Sequence, residues 1–317
     1  MSGDDYPVEL AAPDIEPYRA GNTGLPWITT LESGEPGPHV AITALVHGNE
    51  LSGAIALDFL FHQNVRPSRG RLSLAFLNVA AFRRFDPARP AASRWVEEDF
   101  NRIWDKGTLD GPRRSVELDR AREVRPWVDT IDLLLDLHSM QHATAPLTLT
   151  GLHPKGMALA EATGVPAVMV ADAGHAAGRR LRDYGAFGEH ESARAAILVE
   201  CGQHWARATA DVAIESAVRF LRATSTVAPD FAADVVPTTL PPPPERIEVT
   251  HAVTIRHSDF TFAQPFRGME VIERAGTVIA HDGGTPVTTP YDDCVLIMPT
   301  RRLHPGQTAV RLGRRLA

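Results

Sequence analysis

The chain reads as an α/β protein: a mixed, largely parallel sheet flanked by helices, followed by a small C-terminal all-β domain. Three observations predict this. Apolar runs of strand length at residues 40–46, 72–77, 133–137 and 197–199 alternate with stretches of helical spacing at 51–61, 115–128, 156–163 and 206–221. A Pro-rich passage at 237–245 then ends the helical pattern. Beyond it the chain changes into short β-rich runs separated by turn residues.

The first run, 40–46, is almost wholly apolar, as a strand covered on both faces must be. Residues 51–61 follow as a helix, 72–77 as the second strand and 115–128 as a further helix. The run Leu133-Leu134-Leu135-Asp136-Leu137 makes the third strand. After a helix at 156–163, Ile197-Leu198-Val199 make the fourth, and Val212, Ala217, Phe220 and Leu221 recur at helical spacing in the last helix. Then come β runs at 249–255, 269–272, 278–280, 294–298 and 308–312, with turn chemistry at 273–276, 281–284, 290–293 and Pro305-Gly306. The expected division is a first domain at 1–226, a linker at 227–246 and a small β domain at 247–317.

With 44% apolar residues in 317, the chain can fill a substantial core. Its 32 basic and 39 acidic residues are spread without a basic block, which excludes a nucleic-acid partner as the expectation. Cys201 and Cys294, far apart in sequence, fit a reducing compartment better than a disulfide scaffold. Residues 1–6 lack the basic start and apolar stretch of a signal peptide, and no apolar run approaches about 18 residues. A soluble cytoplasmic protein with no membrane partner is expected, and assembly as a homo-oligomer is left open.

Every predicted strand of the first domain is followed at once by a polar residue: His47, Asn78, His138 and Glu200. In parallel sheets ligands gather at the carboxyl ends of the strands, so these four residues share the edge where chemistry belongs. His47-Gly48-Asn49-Glu50 spaces an imidazole and a carboxylate three residues apart, a common way to hold zinc. His138 is the expected third ligand, with His142 as its rival. Two nitrogens and a carboxylate leave zinc a position for water, whose pKa then falls to about 7. Glu200, approached by the apolar stretch 195–199, suits proton transfer, because burial raises a carboxyl pKa. Substrate and oxyanion call for arginines, and two sets are available: Arg83 with Arg84, and Arg102 beside Asn101. Most other arginines, Arg179, Arg180 and Arg182 included, read as solvated surface cations. His175, in a Gly-rich loop, and His204, His251, His257 and His281 read as surface or hydrogen-bonded residues. Cys201 would point away from the face that Glu200 uses and reads as an inert buried thiol.

Taken together, His47-Gly48-Asn49-Glu50, the stretch 78–83, Asp99-Phe100-Asn101-Arg102, Asp136-Leu137-His138 and Glu200-Cys201-Gly202 resemble the succinylglutamate desuccinylase and aspartoacylase family, a branch of the zinc carboxypeptidase superfamily. The resemblance covers about residues 40–205. It implies a zinc carboxypeptidase-like fold and an amidohydrolase that removes the acyl group from an N-acyl amino acid or related small amide. One zinc per chain would sit on His47, Glu50 and His138, with Glu200 as general acid/base. The resemblance further implies that Arg83 polarises the scissile carbonyl, that Asn101 and Arg102 grip the substrate carboxylate, and that the β domain borders the entrance. This chain departs from the family in reading Asn78-Val79 for Asn-Pro, Phe100 for Leu, and two adjacent arginines at 83 and 84. A zinc carboxypeptidase acting on peptides and a non-catalytic zinc-site binding protein are the alternatives.

Overall fold

The computed structural model describes residues 6–174 and 177–316, so His175 lies outside the described residues. The strands are β1 (Ile28–Glu32), β2 (His39–Ala44), β3 (Arg71–Phe76), β4 (Leu133–Met140), β5 (Leu147–Leu149), β6 (Val168–Ala171), β7 (Ala195–Gln203) and β8 (Glu245–Thr254). They are followed by β9 (Thr261–Phe262), β10 (Val271–Ile272), β11 (Val278–Asp282), β12 (Thr285–Thr288), β13 (Cys294–Ile297) and β14 (Thr308–Arg315). The helices are α1 (Leu51–His62), α2 (Val79–Phe82), α3 (Lys106–Asp110), α4 (Val116–Val128), α5 (Pro154–Thr163) and α6 (Arg207–Ala223).

Eleven strands form one mixed sheet in the order β1-β3-β2-β4-β7-β5-β6-β8-β14-β13-β10. Its centre is parallel from β3 through β2 and β4 to β7. Antiparallel β5 is inserted beside β7, and β8 pairs in parallel with β6 before the C-terminal strands continue antiparallel. Strands β12, β11 and β9 make a separate three-stranded sheet. No helix among the described residues is long and apolar enough to cross a membrane.

Side-chain alternation explains the layers. Ile42, Leu135, Leu137, Ile197, Val199 and Cys201 point to the face covered by α1 and α6, where they join Leu57, Ala213 and Phe220. Ala41, Leu134 and Ala196 point to the opposite face, against Leu118, Ala121 and Val124 of α4. Ser115 starts α4 by accepting from the Leu118 amide at 3.0 Å. Burial on both faces makes these strands apolar throughout, so their polar members stand out.

Two expectations shift. His138 and Glu200 do not end their strands, because β4 runs on to Met140 and β7 to Gln203. β4 and β7 keep pairing with each other past His138 and Glu200, through Met140 opposite Gln203, while the added strand β5 places Leu147 opposite Glu200. The edge strand β1 and the short β5 and β6 were also not separable by apolar pattern, being brief or only half buried.

Candidate active site

The cleft opens where β2 turns into α1. His47 leaves β2 after Leu45 and Val46, and Glu50 stands at the amino end of α1. Gly48 between them is required by packing: a Cβ there would lie 2.4 Å from the Phe82 nitrogen and 2.5 Å from the Ser93 oxygen. The Gly48 amide donates to the Arg94 carbonyl at 3.0 Å, which ties the 94–102 loop to the same corner.

The carboxylate of Glu50 lies between two imidazoles. Its Oε1 is 2.8 Å from His47 Nδ1 and its Oε2 is 2.9 Å from His138 Nδ1. One ligand atom from each of the three buried residues lies within 4.8 Å of the others, and this is the metal-capable group found among the described residues. The far nitrogens are held too, His47 Nε2 by Asp99 Oδ1 and His138 Nε2 by Asp136 Oδ2, both at 2.9 Å. Asp136 is itself fixed by the Thr43 hydroxyl at 2.7 Å. Carboxylates behind imidazoles that aim their other nitrogens at a shared point are the arrangement that metal sites use, so this donor set fits zinc. Burial opposes the charged form of Glu50, yet His47 and His138 outweigh it and hold the carboxyl well below its usual range. Burial likewise works against protonated His138, but Asp136 and Glu50 raise it well above the ordinary value.

Glu200 arrives through register. It is the direct partner of His138 across the parallel β4–β7 pair, on the same face. It is buried, and its Oε2 has no hydrogen-bond partner among the described residues. Burial first, against the pull of His138 and with Glu50 adding repulsion, pushes its carboxyl up to about 8. Next to it on β7, Cys201 points into the other face, where burial raises the thiol well above its usual value.

Of the arginines, the structure brings Arg102 to the cleft and leaves Arg83 and Arg84 outside. Asn78 caps α2 through the Ala81 amide at 3.3 Å, and this single turn points the chain outward. Arg83 is therefore exposed, paired with Glu16 and stacked 5.1 Å from the Trp27 ring centroid, and Arg84 is exposed as well. Arg94 occupies the cleft instead. Its Nη1 donates to Glu50 Oε1 at 2.9 Å and its Nη2 to Asp99 Oδ2 at 3.3 Å. Nearness in sequence to Asp99 was the signal that could have found it.

Asn101 lines the cleft and accepts the Leu181 amide at 2.8 Å. Arg102 donates to the Asn101 carbonyl at 2.7 Å, while its buried Nε has no partner among the described residues. Burial, opposed by Asp99 and reinforced by Arg94, lowers its guanidinium to about 10.

The reading of Arg180 and Arg182 as surface cations is overturned. Both are buried: Arg180 binds Asp172 at 2.8 Å and Asp183 at 2.6 Å, and Arg182 donates to the Thr150 and Ala196 carbonyls at 2.8 Å. Arg179 is exposed. His142 lines the cleft but stands outside the His47–Glu50–His138 group. His204 is buried and bonded to Ser139 at 2.8 Å. The far wall comes from the C-terminal strands, with Arg302 and Arg311, and the whole cleft holds about 730 Å³. That is room for a small molecule.

Residues 36–226 match the family model of the succinylglutamate desuccinylase/aspartoacylase catalytic domain. The chain is 32% identical to a probable aspartoacylase of Parasynechococcus marenigrum (strain WH8102) over a stretch covering 38% of this chain and 40% of that protein. It is 23% identical to the succinylglutamate desuccinylase of Vibrio vulnificus, across 86% of this chain and 79% of that one. The crystal structure of succinylglutamate desuccinylase from Vibrio cholerae superposes with a TM-score of 0.67 at 18% identity, covering 92% of this chain and 86% of the other, a likeness of fold.

Proposed function

We propose that this chain, which belongs to the succinylglutamate desuccinylase/aspartoacylase family, is a zinc-dependent amidohydrolase that removes the acyl group from an N-acyl amino acid or related small amide. The observation that carries the reading is the group His47, Glu50 and His138, within 4.8 Å of one another, with Glu200 directly opposite His138. Those three residues would hold the metal. When bound, zinc supplies Lewis-acid activation of water near neutral pH.

The chain's own residues divide the remaining work. Arg102, with Asn101 beside it, holds the substrate carboxylate. Arg94, fixed by Glu50 and Asp99, takes the role first expected of Arg83 and donates to the scissile carbonyl oxygen. Glu200 accepts a proton from water as the water oxygen bonds to the carbonyl carbon. It then returns that proton to the amide nitrogen as the carbon–nitrogen bond breaks, releasing a carboxylic acid and a free amine. The unpartnered Oε2 of Glu200 supports this shuttle, since no group among the described residues competes for its proton.

Residues 1–226 would form the hydrolase domain, 227–246 its linker and 247–317 the β domain. The far wall made by the C-terminal strands favours a small substrate over a peptide, which needs an open groove. Two buried free cysteines support a reducing compartment, hence the cytoplasm. A deacylation screen of zinc-loaded protein across acetyl, succinyl and longer acyl amino acids, with a peptide as competitor, tests the proposal. Turnover of an N-acyl amino acid with one zinc per chain is expected; preference for the peptide, or no product with any of them, overturns it.

A further inference from the structure

The pairing of β2 with β4 ends at Thr43 opposite Asp136, so His138 sits beyond the support of β2. What fixes the chain there comes from β7. Between Glu200, opposite His138, and Gln203, opposite Met140, β7 carries one residue more than β4, a bulge that shifts the register. Gly202 turns the chain at this bulge with φ +128°, and a Cβ there would lie 2.9 Å from Thr209 Oγ1. The turn brings His204 back to the end of β4, where its amide donates to the Met140 carbonyl at 2.8 Å.

His204 is buried, and its Nδ1 is hydrogen-bonded to the Ser139 hydroxyl at 2.8 Å. The Ser139 amide in turn donates at 3.1 Å to Glu50 Oε2, the oxygen that His138 Nδ1 also meets. One residue on, the Trp205 indole donates at 3.2 Å to the carbonyl of Asn49, which lies between His47 and Glu50 in the chain. Two neighbouring rings thus brace both the end of β4 and the turn into α1. Burial lowers the His204 imidazole to about 3 against the pull of Glu50, so the ring is neutral. A neutral imidazole offers one donor and one acceptor, and Nε2 of His204 has no partner among the described residues, which leaves Nδ1 as the working atom.

We propose that His204 is a positioning residue for the metal centre: through Ser139 it fixes the amide that orients Glu50, and so it sets how tightly the site holds zinc. The proposal rests on the zinc reading of His47, Glu50 and His138, and not on any particular substrate. Hydrogen bonds that orient a metal ligand from behind typically contribute about 10- to 100-fold to metal affinity.

The test is chelator competition for zinc with the full chain, read without substrate, so it holds whether or not an amide is cleaved. His204→Ala should loosen zinc by about 10-fold. Ser139→Ala, which removes only the hydroxyl, should loosen it by a similar factor. The double variant should lose little more than either single one, because both remove the same bond. His204→Asn places an amide where Nδ1 stands and should recover most of the loss, whereas His204→Gln places it at the Nε2 position and should not. Wild-type zinc affinity in Ser139→Ala, losses that add in the double variant, or better recovery with Gln than with Asn each overturn the proposal. The expected affinities in a chain that cleaves no N-acyl amino acid would support the proposal and overturn the amidohydrolase reading alone.

Discussion

The two walls of the cleft are built on opposite principles. The near wall comes from β2, β4 and β7, and its His47, His138 and Glu200 are brought together by parallel register, each a short step beyond an apolar run. The far wall comes from loops and from β14. Its Arg102, Arg180, Arg302 and Arg311 meet only because distant segments supply partners such as Asp172 and Trp95. On the near wall His47 and His138 each lie between two carboxylates, whereas on the far wall Arg102 and Arg302 have no direct ion pair among the described residues. Reaction chemistry rests on the rigid sheet, and recognition rests on segments that can vary without disturbing it.

Mutations can sharpen or break this contrast. The largest effect is expected at the near wall: Glu200→Gln should lower kcat by about 10²- to 10⁴-fold while zinc content by elemental analysis is unchanged. Full activity in that variant would break the assignment of proton transfer to β7. Arg94→Gln should cost about 10²- to 10³-fold in kcat, with Arg83→Gln close to wild type; the reverse ranking would restore the arginine read from sequence. Asp136→Asn, which weakens the support behind His138, should loosen zinc by about 10- to 100-fold in a chelator competition.

The last effect falls on the far wall and is one of stability rather than of activity. Burial opposes the charged form of Asp172, but Arg311 and Arg180 hold its carboxyl below the ordinary range. A depressed carboxyl pKa contributes stability that is complete above the unfolded value, about 4, and is lost as pH falls through the folded value. Asp172→Asn should therefore destabilise the protein by about 3 kcal/mol at pH 7, and the difference in Tm should close toward acid pH. A constant gap across that range would mean the carboxylate charge is not what supports this wall.

How legible each wall was in the sequence follows the same division. The apolar runs ending near His47, His138 and Glu200 exposed the near wall, although β4 and β7 extend past those residues because the two strands go on pairing with each other to Met140 and Gln203. Of the polar residues singled out in the sequence, Asn101 and Arg102 line the cleft, but Arg83 does not and Arg94 does. Apart from the nearness of Arg94 to Asp99, no local pattern distinguishes an arginine at a one-turn helix that points outward from one eleven residues on that turns back under a glycine contact. Arg180 and Arg182 looked solvated because, although both pair with the nearby Asp183, their burial rests on Asp172 and on the Thr150 and Ala196 carbonyls, which only packing brings to them.

By itself, then, the sequence determined the alternation of strands and helices and the edge on which reactive polar residues gather. It could do so because apolar burial is periodic along the chain and parallel strands present their ends together. Tertiary structure decided which guanidiniums face inward and which stay without a counterion. Burial of a charge depends on partners from remote segments, and no local pattern records where those segments meet.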